Sequence, residues 1–175
     1  WSAHSRRSRP GSAATTQAAL VTFERLGARV TSLRLPDPQV IHDVSSLIAR
    51  AESAAVHSRI LRERPHELQP AVRARLAVGT RLSAHDYLQA LRLRARLARG
   101  FNDEVFAETD LLVLPAIPEP APTLADATAG EGEAVAARMG RFSRLTRPWN
   151  GLGLPVLALP CGFAASGLPL GMQIV

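Results

Sequence analysis

The sequence predicts an α/β fold, in which helices pack on a central sheet. A predicted helix over residues 18–26 ends at Gly27 and leads into a predicted strand over residues 28–33, which is half of a βαβ unit. A short apolar run over residues 110–114 is typical of a strand that is buried on both faces of a sheet. A second such run covers residues 156–160.

The composition is that of one globular domain. The chain has 175 residues, of which 46% are hydrophobic and 21% are charged, enough for a sizeable core. No apolar run approaches the roughly 20 residues that cross a bilayer, and the first residues lack the apolar core of a signal peptide. The single cysteine, Cys161, forms no internal disulfide. We therefore predict a cytoplasmic protein without a membrane partner.

The charged residues exclude one class of catalytic mechanism. The formal net charge is +6, and all 21 basic residues are arginines, so the chain contains no lysine. Because arginine is effectively always protonated, no mechanism that needs a lysine base is complete within this chain. The arginines are spread over most segments and few aromatic residues accompany them, so we predict no nucleic-acid partner, although a non-catalytic basic binding module remains an alternative.

The first sixteen residues differ from the rest. Residues 1–16 are polar and basic and are interrupted by Pro10 and Gly11, which predicts a disordered segment before a domain over residues 17–175. Thr15 or Thr16 is then the expected N-cap of the first helix.

Three helices are predicted in the middle of the chain. Apolar residues recur at helical spacing over residues 40–61, and a shorter helix covers residues 71–78. Ser83 is the expected N-cap of a long helix that extends to Val105. The predicted buried stripe of that helix is Ala84, Leu88, Leu91, Ala95, Ala98, Phe101 and Val105. His42 and His57 do not have the i, i+4 spacing of a metal pair, and no carboxylate–His cluster accompanies them, so no metal site is predicted.

The C-terminal part alternates loops, a helix and two strands. A rigid proline-rich loop is expected over residues 115–122 and a mobile segment over residues 123–132. A helix from Glu133 to about Leu145 follows and leads into a stretch rich in turn residues that begins at Thr146 and contains a loop with Thr146 and Asn150. The strands at residues 156–160 and 170–175 are joined by a predicted turn at residues 164–167.

The order of motifs in this region resembles the amidase-signature hydrolases. The motifs are T-x-P-x-N at residues 146–150, G-L-P at 153–155, P-C-G-F at 160–163 and G-L-P-x-G-x-Q at 167–173. The resemblance extends over residues 18–175. It implies the C-terminal part of an α/β/α layered fold with a mixed central sheet, the hydrolysis of carboxamide C–N bonds, a small-molecule amide substrate and no cofactor.

The catalytic residues that the resemblance implies are a Ser, a cis-Ser, a Lys and a Gly/Ser-rich loop, and none of them matches this sequence. Ser45 and Ser46 lie inside a predicted helix without a neighbouring glycine, so they do not replace the catalytic pair. Cys161 follows a strand and is far in sequence from every histidine, so it is not an expected nucleophile. We predict no catalytic residue here and expect a C-terminal fragment that is inactive alone.

Four residues are expected to line a substrate pocket. In the amidotransferase members of the family, an Arg and an Asp of the A subunit hold the amino-acid substrate. The Arg matches Arg75, and less securely Arg73, whereas the Asp position is occupied by Ser143. Thr146 and Asn150 match T-x-P-x-N, and their side chains are expected to brace a loop by local hydrogen bonds. The missing carboxylate favours a general amidase over an amidotransferase, which remains an alternative. The sequence leaves a homodimer open.

Overall fold

The computed structural model describes residues 10–130 and 133–175. The helices are α1 Pro10–Arg25, α2 Pro38–Val56, α3 Ser58–Glu63, α4 Pro70–Gly79, α5 Ala84–Val105, α6 Leu124–Thr128, α7 Glu133–Ser143 and α8 Arg147–Leu152. The strands are β1 Val113–Pro115, β2 Leu157–Phe163 and β3 Pro169–Ile174, and a 3₁₀ turn covers Pro65–Glu67. The predicted α/β class is confirmed.

β3 is the central strand of the described sheet. It pairs antiparallel with β1 on one side and with β2 on the other. The ladder continues beyond β1, where Leu112 and Val175 exchange backbone hydrogen bonds of 3.0 and 2.9 Å. The predicted turn between β2 and β3 is confirmed, because Gly167 has a φ of +79° and its N–H donates to the Ala164 carbonyl at 2.9 Å.

The two strands that were predicted to be buried are only partly so. Leu112 and Leu114 are buried, but Leu111 is 57% exposed. On β2, which begins one residue later than predicted, Leu157 is 56% exposed, and none of residues 156–160 is fully buried. These side chains are exposed because β1 and β2 are edge strands, each with a neighbour on one side only within the described residues.

Helix α1 begins before the expected N-cap. It starts at Pro10, where proline suits the first turn because the amides there have no partner within the helix. Thr15 and Thr16 lie inside the helix, and their hydroxyls donate to the Ser12 carbonyl at 3.2 and 2.9 Å. The prediction of disorder is therefore wrong for residues 10–16, and residues 1–9 lie outside the described part of the chain.

No strand forms over residues 28–33. This segment is irregular and has no ladder partner in the described sheet. The side chains of Leu33 and of the following Leu35 instead pack against the main core cluster. A strand needs a neighbouring backbone as well as a suitable sequence, and the described structure provides none here.

Two glycines bring α4 and α8 into direct contact with α2. A Cβ atom at Gly79 of α4 would overlap the carbonyl oxygen of Arg50 and lie 2.7 Å from the Cβ of Ala54. A Cβ atom at Gly151 of α8 would overlap the Oγ of Ser45. Helix α2 therefore lies directly against both shorter helices, through the Arg50 backbone at Gly79 and through the Ser45 and Ile41 side chains at Gly151.

The long helices are confirmed with shifted ends. The predicted helix over residues 40–61 is divided at His57 into α2 and α3. Ser83 caps α5 as predicted, since its Oγ accepts from the Asp86 N–H at 3.0 Å. The predicted stripe of α5 is buried at Phe101 and Val105, but most of its N-terminal members are exposed, because the face that packs on Val44 and Ile48 of α2 is centred on Ala90 instead. The exposed predicted positions are Ala84, Leu88 and Ala95.

A short helix occupies part of the segment that was predicted to be mobile. The Oγ1 of Thr123 accepts from the Asp126 N–H at 3.1 Å and caps α6. The Arg138 guanidinium of α7 then donates to the Ala127 and Ala129 carbonyls at 3.0 and 2.9 Å. These bonds hold α6 beside α7, so the prediction is wrong for residues 124–128. Residues 131–132 lie outside the described residues.

The main core lies where α2, α5 and α8 meet the β1–β3 edge of the sheet. The rings of Phe101 and Trp149 pack edge to face with centroids 5.8 Å apart. The buried members of this cluster are Ile41, Phe101, Val105, Leu112, Leu114, Trp149, Leu152 and Val175. Among the described residues, no helix has the length and apolar character needed to span a membrane.

We expect the Gly79→Ala substitution to lower the free energy of unfolding by about 1–3 kcal/mol, since the new methyl group forces α4 away from the Arg50 carbonyl. The matched control is Gly100→Ala, because a Cβ at Gly100 of α5 meets nothing within 4 Å. The control is expected to gain about 0.5–1 kcal/mol from helix propensity. Urea denaturation followed by circular dichroism measures both, and equal effects would contradict the close contact.

Candidate functional site

Helix α8 occupies the segment that was predicted to be a loop. Pro148 lies in its first turn, and Gly153 ends it with a φ of +76°. The N–H of Gly153 donates to the Trp149 carbonyl at 2.9 Å, and that of Leu154 donates to the same oxygen at 3.0 Å. Proline at the start and left-handed glycine at the end are helix boundary signals as well as loop signals. The loop prediction is wrong for residues 147–152.

Ser143 and Thr146 lie together at the corner between α7 and α8. The Ser143 hydroxyl donates to the Met139 carbonyl at 2.8 Å, one turn earlier in α7. The Thr146 hydroxyl donates to the Ser143 carbonyl at 3.1 Å, which confirms the predicted local bond. The hydrogen bonds of both hydroxyls therefore stabilise the conformation of the corner. Asn150 lies apart from them on the exposed side of α8.

Arg75 lies on α4, and its positive charge lowers the pKa of Arg147 at this corner. Arg147, directly after Thr146, is half-buried, and its Nη1 is in hydrogen-bond contact with the Nε2 of His42 on α2. Burial lowers the pKa of Arg147, and the positive charges of Arg75 and Arg50 lower it further.

Gln173 is a positioning residue whose role the sequence did not reveal. Its side chain on β3 is only 1% exposed. The Nε2 group donates to the Pro115 carbonyl at 3.1 Å and to the Leu145 carbonyl at 2.8 Å. One amide therefore joins the central strand to the end of β1 and to the corner that carries Thr146. Its place in the G-L-P-x-G-x-Q motif was the available signal, but its partners are distant in sequence.

Arg94 stabilises the other end of α8. Its Nε donates to the Gly151 carbonyl at 2.6 Å, across 57 residues of sequence. A cation near the last carbonyls of a helix is favoured by the helix dipole and satisfies a backbone acceptor.

A small apolar hollow lies beneath α8, with space for about one water molecule. Its lining residues are Leu35, Pro36, Pro38, Ile41, Phe101, Pro148 and Trp149. The buried Nε1 of Trp149 has no hydrogen-bond partner in the described part of the chain. The hollow is too small to hold an amide substrate, so it is not the pocket that the four residues were predicted to line.

The nucleophilic side chains are held in structural roles. The Ser45 hydroxyl donates to the Ile41 carbonyl at 2.6 Å inside α2. The Sγ of Cys161 lies 3.6 Å from the Thr15 hydroxyl and 3.5 Å from the Leu170 carbonyl. No group of three or more metal-ligating side chains occurs in residues 10–130 and 133–175.

The chain matches the family model described as Amidase over residues 2–175. It is 35% identical over 158 residues to an amidase of Pseudomonas putida, a match that covers 87% of this chain and 33% of the relative. It is 32% identical over 190 residues to the A subunit of the glutamyl-tRNA(Gln) amidotransferase of a Picosynechococcus species, covering 95% of this chain and 38% of that protein.

The fold matches that of solved amidases. One crystal structure of an amidase superposes with a TM-score of 0.78 at 32% sequence identity, over 93% of this chain and 37% of that chain. The chain therefore spans little more than a third of the length of the relatives that it matches.

We expect the Gln173→Met substitution to lower the free energy of unfolding by about 1–3 kcal/mol, because it leaves two carbonyls without their buried donor. Methionine keeps the length of the side chain, so the loss reports hydrogen bonding rather than a cavity. Gln89→Met on the exposed face of α5 is the control and is expected to change stability by less than about 0.5 kcal/mol. Similar losses in both variants would exclude the bridging role.

Proposed function

The chain belongs to the amidase family, and we propose that it is the C-terminal segment of an enzyme that hydrolyses carboxamide C–N bonds. The observation that carries the proposal is the family match over residues 2–175. The fold likeness to a solved amidase at 32% identity supports it. A small-molecule amide is the proposed substrate of the intact enzyme.

The reaction requires groups that this segment does not supply. Amide hydrolysis needs an activated nucleophile, a base that takes its proton and donors that stabilise the oxyanion. The chain has no lysine, and Ser45 and Cys161 are bonded to neighbouring backbone or hydroxyl groups. We therefore place the catalytic Ser, cis-Ser and Lys in the part of the enzyme that corresponds to the other two thirds of its relatives.

The proposed contribution of this segment is one wall of the substrate pocket. The corner of Ser143 and Thr146 is shaped by its own hydrogen bonds and is fastened to the sheet by Gln173. Arg75 supplies positive charge from α4. Such a wall positions a substrate against catalytic groups elsewhere, which is how remote contacts contribute to catalysis.

The A subunit of an amidotransferase is the second candidate, favoured by the 32% identity to such a protein. Ser143 argues against it, since a hydroxyl stands where the family resemblance implies a carboxylate for the substrate ammonium group. We therefore favour a general amidase. We further propose a reducing, cytoplasmic location, which is consistent with the free thiol of Cys161.

A chimera tests the proposal. We expect no ammonia release when the 175-residue chain alone is supplied with simple carboxamides. We expect turnover when the chain replaces the matching segment of the Pseudomonas putida amidase. That amidase without the segment is the control and should be inactive. Two outcomes would refute the proposed division of the enzyme into a catalytic part and this segment. One is turnover by the isolated chain that a single substitution in the chain abolishes, and the other is a folded chimera without activity.

The Ser143→Asp substitution in the same chimera tests the substrate class. A carboxylate at this position can pair with the ammonium group of glutamine, and hydrogen bonds to charged groups are worth enough to change kcat/KM by about tenfold or more. We expect the kcat/KM ratio of glutamine to a simple amide to rise by about that factor. Ser166→Asp in the exposed β2–β3 turn should leave the ratio unchanged. An unchanged ratio in the Ser143 variant would remove this residue from the proposed pocket.

A further inference from the structure

We propose that Arg144 attaches this segment to the catalytic part of the enzyme by pairing with an acidic side chain of that part. The inference rests on the proposed function, because it requires the chain to be one segment of a longer amidase. It identifies a contact that holds the segment in place and assigns Arg144 no part in the chemical step. The partner is defined by its chemistry, which is that of an Asp or Glu carboxylate.

The guanidinium group of Arg144 is enclosed without an acceptor. Its Nε and Nη2 atoms are both buried, and neither has a hydrogen-bond partner within residues 10–130 and 133–175. Because arginine is effectively always protonated, these buried donors remain charged. A buried charge without a partner is strongly unfavourable. We therefore expect the intact enzyme to supply the acceptor that this segment lacks.

The carboxylates that pair with arginines in the described residues are engaged elsewhere. These ion pairs are Arg59 with Glu63, Arg64 with Glu67, and Arg141 with Glu119. In each pair the arginine side chain is more than half exposed, whereas the enclosed nitrogens of Arg144 have no such partner. The chain spans little more than a third of the length of its relatives, so the partner can come from the remainder.

Hydrogen bonds on both sides of Arg144 fix the turn that carries it. The N–H and the hydroxyl of Thr146 both donate to the Ser143 carbonyl, at 3.2 and 3.1 Å. The Leu145 carbonyl accepts from the Nε2 of Gln173 at 2.8 Å. The direction in which the Arg144 side chain leaves the backbone is therefore set before a partner arrives, which limits the entropy lost on pairing.

One edge of the guanidinium group remains open to a partner. Arg144 as a whole is only half-buried, and its third nitrogen, Nη1, is not enclosed. Nη1 and Nη2 share an edge of the planar group, so a carboxylate that arrives at Nη1 also lies beside Nη2. Two parallel N–H···O bonds are the geometry that arginine and carboxylate favour. The formal charge of +6 on the chain also favours an acidic partner surface.

The test compares the melting temperature of the Arg144→Met variant in the 175-residue chain alone and in the chimera with the Pseudomonas putida amidase. In the chain alone we expect the Tm to rise by about 2–4 °C, because an unpaired buried charge is removed. In the chimera we expect the Tm to fall by at least about 2 °C, because the substitution leaves the partner carboxylate unpaired.

Arg59→Met is the matched control, because it removes an arginine whose ion pair is exposed. Exposed pairs contribute little, so its Tm should change by less than about 2 °C in both proteins. If the Arg144→Met chimera does not fold, Arg144→Lys replaces it. Lysine keeps the charge but lacks the planar fork, so the Tm of that chimera should fall by less.

Substitution of each Asp or Glu in the Pseudomonas putida part by Asn or Gln identifies the partner. One of these changes should lower the Tm of the chimera only while Arg144 is present. If none does, the partner is not a carboxylate and the proposal is wrong. Tm shifts of the same sign in both proteins would also overturn it, since a water or a carbonyl of the segment itself acts in both.

Ammonia release by the chimera reports on the proposed function separately. A folded, inactive chimera in which the Tm shift still reverses would refute the proposed function and support the attachment. An active chimera without the reversal would refute the attachment alone.

Discussion

The close contact of α2 with α4 and α8 is the constraint on which the rest of the described structure depends. It exists because a Cβ atom at Gly79 would overlap the Arg50 carbonyl and one at Gly151 would overlap the Ser45 side chain. With both short helices against α2, Trp149 reaches Phe101, and the main core closes over β1. Core packing therefore depends on two residues without side chains.

The corner between α7 and α8 combines a fixed shape with a shortage of compensating charge. Its hydroxyls are bonded to nearby carbonyls, and the Gln173 amide ties it to the sheet. Its geometry is therefore set before any ligand arrives, which limits the entropy lost on binding. Arg144 is the exception to this local satisfaction, because its buried Nε and Nη2 have no hydrogen-bond partner in the described part of the chain.

Sequence reasoning succeeded where the signal was local. The Ser83 cap, the 164–167 turn and the Thr146 bond each depend on residues a few positions apart. It failed over residues 28–33, where a strand requires a neighbour, and over residues 147–152, where proline and glycine mark helix ends as well as loops. In the candidate site, the family motif supplied Arg75, Ser143, Thr146 and Asn150. The roles of Gln173 and Arg147 depend on distant partners and could not be predicted.

The central position of β3 imposes an order on folding. Within the described residues, β1 is paired only with β3, and β2 joins the sheet only through β3, so both strands depend on residues 169–175. The apolar side chains around β1 must wait for the segment up to Val175 before the Leu112 ladder can close. Contacts of such long sequence separation form slowly. Pairing of β1 with β3 is thus a late step in folding, whereas α2, α4 and α5 can already have packed together.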